Sequence, residues 1–227
     1  MIIKVCGLHD SQNIHAVEQL NINWIGLVFH QESPRNVRMI NSHAGIIPDR
    51  PSFKEKRTAE KPLRVGVFAD EMPQSIITRI YNFKLDIVQL NGNESPVMIE
   101  NLKRTVDPDI HRGIKVMNTI RLRERNDLEK TEIYRDCVDF FRFDSYDSDI
   151  VGDNGRFDWH IIESYKGSIP FILSGSIAPN DAQQLKNLSH PQWAGIELNS
   201  CFEDAEGMKD TALLKTFLTE FMQEKKK

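Results

Sequence analysis

The chain has 227 residues, of which 40% are hydrophobic, 27% charged and 8% aromatic, with a net charge of −4. The length allows one large domain or two small ones, and apolar residues spread along the whole chain exclude a low-complexity disordered protein. Lys and Arg are scattered among acids, and the one dense basic run is the tail 225–227, so no nucleic-acid partner is expected.

Apolar stretches such as 24–29 fall far short of the roughly 18–20 residues of a membrane span. The start, MIIKVCG, has neither the apolar run nor the small-residue cleavage site of a signal peptide. Cys6, Cys137 and Cys201 lie far apart with no CxxC, which suits a reducing cytoplasm and argues against a disulfide framework or a zinc cluster.

In chain order, short β-rich runs alternate with helical stretches. The pattern predicts strands over 2–6, 24–29, 63–68, 87–90, 113–117, 138–143, 170–174 and 194–198. Each is rich in Val, Ile, Leu or Phe, as strands buried on both faces are. Helices are expected over 10–20, 73–83, 96–103, 122–135, 158–165, 180–188 and 209–223. Ser95 before Pro96 is a sensible helix start. Strand–helix alternation implies parallel pairing by right-handed crossovers, and eight such units close into a single (β/α)8 TIM-barrel domain over 1–227. An open doubly wound sheet is the rival. The segment 48–62, PDRPSFKEKRTAEKP, has almost no apolar residues and is read as a mobile surface loop in place of a regular second helix; the functional alternative is a lid.

Several chemistries fail by search: the chain has no GxGxxG, no GxxxxGK, no HExxH and no GxSxG. The seven histidines never pair at ligand spacing, so no metal and no cofactor is expected, and side chains must do the chemistry.

Barrel enzymes work at the C-terminal ends of their strands. Those ends read Cys6-Gly7, Ser33-Pro34-Arg35, Gln89-Leu90-Asn91-Gly92, Asp144-Ser145, Ser174-Gly175-Ser176 and Asn199-Ser200, while strand five carries Lys115. A thiol and a carboxylate at one mouth form a base–acid pair for an isomerisation without a cofactor. On position alone, Cys6 reads as a small buried hydrophobe and Asp144 as a helix cap or loop acid. Arg35 suits an anion clamp or an ordinary surface turn. Gly175-Ser176 and Asn199-Ser200 sit where barrels often hold phosphate.

Together these residues resemble a family. IKVCG, GLVFHQESPRNV, RVGVFADE, DIVQLNGNES, GIKV, FRFDS, RFDW, PFILSGSI and AGIELNS occur in the order and spacing of the phosphoribosylanthranilate isomerases of tryptophan biosynthesis. The resemblance implies a (β/α)8 barrel and an Amadori rearrangement of N-(5'-phosphoribosyl)anthranilate. It implies Cys6 as general base, Asp144 as general acid and Arg35 facing the anthranilate. Gly175-Ser176 and Asn199-Ser200 match the phosphate loops, Asn91 adds to the substrate site, and the partner is a small phosphorylated molecule bound by a monomer or homodimer.

The departures gather at the same face. Asn91 stands where the family has histidine, Val151-Gly152-Asp153-Asn154 replaces a glycine-rich run, Ser176 replaces a glycine, Glu197 an aspartate and Ser145 a threonine. Arg142 shares the strand face of Asp144 and is expected to point inward, against Glu197 or Asp144; Glu197 is favoured, which leaves Asp144 free. Lys4 shares the face of Cys6, where its charge is expected to favour thiolate. A diverged copy with weak or altered activity, a non-catalytic phosphate-sugar binding barrel and a pentose-phosphate epimerase are the competing readings.

Overall fold

The computed structural model describes residues 1–37, 61–145 and 158–223. Of the expected loop 48–62 only its last two residues fall inside these ranges, and Asp153 lies outside them.

Strand β1 (Ile2–Val5) leads to α1 (Ser11–Glu18), whose start is capped by the Asp10 carboxylate accepting from the Asn13 N–H. β2 (Trp24–Val28) and β3 (Leu63–Phe68) follow, then α2 (Pro73–Phe83), which Lys84 ends in a left-handed conformation. β4 (Ile87–Leu90) precedes α3 (Pro96–Val106), capped by Ser95 with Pro96 in the first turn. β5 (Lys115–Leu122) passes through a 3-10 turn, Arg125–Lys130, into the short α4 (Thr131–Tyr134) and β6 (Phe140–Ser145). A 3-10 turn, Trp159–Ser164, precedes β7 (Phe171–Leu173), and another, Pro179–Asp181, runs into α5 (Ala182–Leu185). β8 (Trp193–Leu198), a 3-10 turn (Ser200–Phe202), a small hairpin of β9 (Glu203–Ala205) and β10 (Met208–Lys209), and α6 (Thr211–Met222) complete the described chain.

β1 to β8 pair in sequence order, all parallel, and β1 closes on β8 with Lys4 opposite Glu197. This is the expected (β/α)8 barrel, with local differences. The strand expected over 113–117 runs five residues further because Met117 and Thr119 pair inward against Phe140 and Arg142 of β6. Lys115 therefore starts β5 at the far end from the mouth, where it pairs with Asp139 at 3.0 Å. The helix expected over 122–135 shrinks to a 3-10 turn and one α-turn. Beyond Leu122, which ends β5, its stretch buries only Leu128 and Thr131, and Asp127 reaches back to the Arg123 and Glu124 N–H groups. The stretches 158–165 and 180–188 likewise form short turns rather than full helices. No helix among the described residues is long and apolar enough to cross a membrane.

The barrel interior is layered. Trp24, Val65, Ile87, Met117 and Ile172 fill the bottom, with Phe140 edge-on to Trp24 at 5.2 Å. Above them lies a polar belt. Glu197 accepts from Lys4 Nζ, from Arg142 Nε at 2.8 Å and from the Ser174 hydroxyl at 3.3 Å. Lys4 also donates to Gln89, whose amide donates to Asn91 Oδ1 at 2.9 Å; the Thr119 hydroxyl donates to the same oxygen at 2.6 Å. Lys4 is 0% exposed and Glu197 3%. Cys6, Val28 and Val67 close the top of the interior.

Burial alone would push the Glu197 carboxyl up, but Arg142 and Lys4 overcome it and hold it down at about 2. Its contribution to stability is therefore complete above about 4.5 and is lost as pH falls toward about 2. Glu197→Ala leaves two buried cations without their shared partner, and the expected loss is about 3–5 kcal/mol. The measurement is the denaturant midpoint at neutral pH; a loss below about 1 kcal/mol would show that the cations find water instead.

Candidate active site

The mouth collects most of the residues singled out in the sequence. Cys6 follows β1 and is buried. Gly7 has a positive φ of 78°, and a Cβ there would meet Arg35 Cδ at 2.6 Å, Asn199 Oδ1 at 2.6 Å and Lys209 Nζ at 3.2 Å. Only glycine fits, and its bareness lets three polar side chains from the connections after β2 and β8 crowd against the end of β1.

Those side chains form a cluster. Arg35 grips Glu203 with two N–H groups, Nε to Oε1 at 2.8 Å and Nη2 to Oε2 at 2.7 Å. Lys209 donates to Glu203 and to Asn199 Oδ1, the latter at 2.9 Å. Burial pushes the Glu203 carboxyl up, but the hydrogen bonds from Arg35 and Lys209 bring it to about 2. Burial pulls the Lys209 ammonium down, and Glu203 offsets part of that. Two cations and one anion thus meet beside Cys6, with Glu206 a further acid acting on Arg35. Glu203 and Lys209 were not singled out in the sequence. The signal for them was the Glu206-Gly207 pair, a hairpin turn between two short strands, which the expected helix start at 209 obscured.

Asp144, the last residue but one of β6, stands at the mouth. Its Oδ2 accepts from Arg142 Nη1 at 2.6 Å. The expectation that Arg142 faces inward holds, and so does its pairing with Glu197. The expectation that Asp144 is thereby left free does not, because one guanidinium spans both carboxylates. Asn91 points into the belt rather than away from it, held by Gln89 and Thr119.

The loops after β7 and β8 lie on adjacent strands. Gly175 has φ 95° and Ser176 φ 51°. A Cβ on Gly175 would meet the Ser145 N at 2.9 Å, so this turn packs directly on the end of β6. Ser200 opens the turn after β8, while the side chain of its neighbour Asn199 belongs to the Arg35 cluster.

The thiol corrects one expectation. Burial, then the Glu197 carboxylate, push the Cys6 pKa up, and this outweighs the opposing pull of Lys4, Arg142 and Lys209. Lys4 is already committed to Glu197, so its charge reaches the sulfur largely neutralised.

A family model described as N-(5'phosphoribosyl)anthranilate (PRA) isomerase matches residues 3–220. The chain belongs to this family. An N-(5'-phosphoribosyl)anthranilate isomerase of Parabacteroides distasonis is 38% identical over 224 residues, covering 98% of this chain and 94% of the relative. One of Phocaeicola vulgatus is 35% identical and covers 98% of each chain. Among solved structures, the phosphoribosyl anthranilate isomerase of Thermus thermophilus superposes with a TM-score of 0.73 at 19% identity, covering 97% of this chain and 98% of that one. A phosphoribosyl anthranilate isomerase in complex with reduced 1-(o-carboxyphenylamino)-1-deoxyribulose 5-phosphate gives 0.72 at 22%, with the same coverage. The isomerase barrel is thus the fold on which the mouth described above is built.

A raised thiol has a measurable consequence. Its pKa lies above the ordinary 9.0, so Cys6 is protonated at neutral pH and its reactive thiolate accumulates only at more alkaline pH. Alkylation of Cys6, followed by peptide mass spectrometry, is expected to be slow at neutral pH and to keep rising above the pH at which a free thiol levels off. Rapid labelling at neutral pH would contradict the burial argument.

Proposed function

We propose that this chain catalyses the Amadori rearrangement of N-(5'-phosphoribosyl)anthranilate to 1-(2-carboxyphenylamino)-1-deoxyribulose 5-phosphate, a step of tryptophan biosynthesis. The observation that carries it is the placing of Cys6 and Asp144 around one mouth, flanking a buried charged belt, in a member of this family. Asp144 is the general acid: it gives a proton to the furanose ring oxygen, and the C1'–O bond breaks to give a Schiff base. Cys6 is the general base: it takes the C2' proton, the electron pair moves to the C1'–nitrogen unit, and the resulting enolamine tautomerises to the ketose. One proton is gained at oxygen and one lost at carbon, so no cofactor or metal is needed.

Arg35, with Lys209 behind it, is assigned to the substrate's aromatic carboxylate, which a guanidinium suits. The turns at Gly175-Ser176 and Asn199-Ser200 are assigned to the substrate phosphate, with backbone N–H groups as donors. Asn91 is assigned to the substrate site through its place beside the belt. The reading places the protein in the cytoplasm, as a monomer or homodimer.

The test is turnover of phosphoribosylanthranilate, followed as loss of its fluorescence. The parent is expected to turn over, and Cys6→Ala and Asp144→Asn are each expected to fold and lose about 10²–10⁴ in kcat, the usual contribution of a positioned acid or base. Tight binding without turnover in the parent would favour a binding barrel, and parent-like rates in either variant would remove that residue from the mechanism.

A further inference from the structure

Arg142 is engaged on all three guanidinium nitrogens. Nε donates to Glu197 Oε1 at 2.8 Å, and Nη2 lies 2.8 Å from that oxygen while donating to the Ser174 hydroxyl at 2.8 Å. Nη1 is left for Asp144 Oδ2, at 2.6 Å. Glu197 stands on β8 and Ser174 just past the end of β7, so two walls of the barrel hold one edge of a planar group whose other edge meets Asp144 on β6. A rigid fork fixed along one edge has the direction of its remaining N–H groups fixed as well.

That direction has a chemical consequence. A guanidinium only donates and never loses its proton in a protein. Oδ2 of Asp144 must therefore be an acceptor in both protonation states of the carboxyl group. When the group carries a proton, Oδ1 is the favoured site, because a carbonyl-type Oδ2 accepts from the cation more strongly than a hydroxyl oxygen would. We propose that Arg142 is a positioning residue for Asp144: held by Glu197 and Ser174, it reserves Oδ2 and so assigns the transferable proton to one oxygen facing one direction. The inference rests on the proposed isomerase reading and deepens it by naming the group that aims the acid. The longer acid at 197 belongs to the same device. It meets Lys4 on β1 with one oxygen and Arg142 on β6 with the other, which ties the aim of the acid to the barrel wall.

The experiment compares Arg142→Leu and Arg142→Lys with the parent in steady-state turnover of phosphoribosylanthranilate, with circular dichroism to check folding. In Arg142→Leu, Glu197 keeps Lys4, and Asp144, which loses its partner, is the partly exposed carboxylate of the two. That variant is expected to lose about 10² in kcat, the scale of a misaimed catalytic group, with KM within about threefold of the parent. Arg142→Lys keeps a donor and a charge but no fork, and is expected to recover about tenfold of that loss. A folded Arg142→Leu enzyme with kcat at or above the parent's would overturn the proposal, as would a lysine variant no better than leucine. If the leucine variant does not fold, the lysine variant decides: a tenfold deficit in kcat supports the proposal and a parent-like kcat refutes it. Absence of turnover in the parent would sink the isomerase reading itself, whereas a working parent beside an unimpaired leucine variant sinks this inference alone.

Discussion

A single buried carboxylate, Glu197, organises the interior of this barrel. It lies between Lys4 on the neighbouring strand β1 and Arg142 on β6, two strands away on its other side, with the Ser174 hydroxyl against it. Ions removed from water cost more than their mutual attraction returns unless their hydrogen bonds are nearly complete. Here the count closes. Lys4 and Arg142 contribute two positive charges; Glu197 supplies a negative one, and Asp144 an oxygen that accepts from Arg142 whether or not the group carries its catalytic proton. Gln89, Asn91, Thr119 and Ser174 take up neighbouring donors and acceptors. Such a belt is a weak device for stability and a strong one for geometry, since shifting any member leaves another unpaired.

The belt also divides the labour of the barrel. Below it the lumen is a dry apolar plug around Trp24 and Phe140, which holds the strands in register and has no chemistry to offer. Above it stand Cys6 and Asp144, each within reach of the belt's field, and the Arg35 cluster. The floor of the mouth is thus a fixed array of charges, so dipoles need not reorganise when a charged substrate arrives. The hairpin of β9 and β10 serves the same end from outside. It delivers Glu203 and Lys209 to Arg35 and Asn199, joining the loops after β2 and β8 to the end of β1.

Much of this was legible in the residues. Eight apolar runs separated by helical stretches gave the barrel, because strands covered on both faces carry their own signature. Period-two alternation placed Arg142 and Asp144 on the inner face of β6 and Lys4 and Cys6 on that of β1. What stayed hidden was pairing across long sequence separations. Nothing local tells Arg35 that Glu203 will meet it, or tells Arg142 that it will hold two carboxylates rather than one. Burial was the other hidden quantity: charge alone made Lys4 an activator of Cys6, whereas desolvation and Glu197 reverse the sign at the sulfur. The short turn at 125–130 was hidden for a third reason, since a polar helix is settled by the amount of apolar face it can bury, and only the packed structure shows that this turn buries Leu128 alone.

A protonated resting thiol is compatible with a basic role once the order of charge development is followed. On the proposed mechanism, Asp144 acts first, and opening of the ring leaves a cationic Schiff base in the mouth. A positive charge there acts on Cys6 in the opposite sense to Glu197, favouring the thiolate at the moment a base is required. In the proton balance, the proton that the thiol gives up replaces the one that Asp144 gave to the ring oxygen. Removal of the C2' proton by the thiolate then restores the thiol, and both groups end the cycle as they began it. The burial that keeps Cys6 protonated at rest thereby also withholds a thiolate, the form most open to oxidation, until substrate chemistry calls for it. In this arrangement the timing of the base is set by the substrate's own charge, and the belt beneath needs only to stay still.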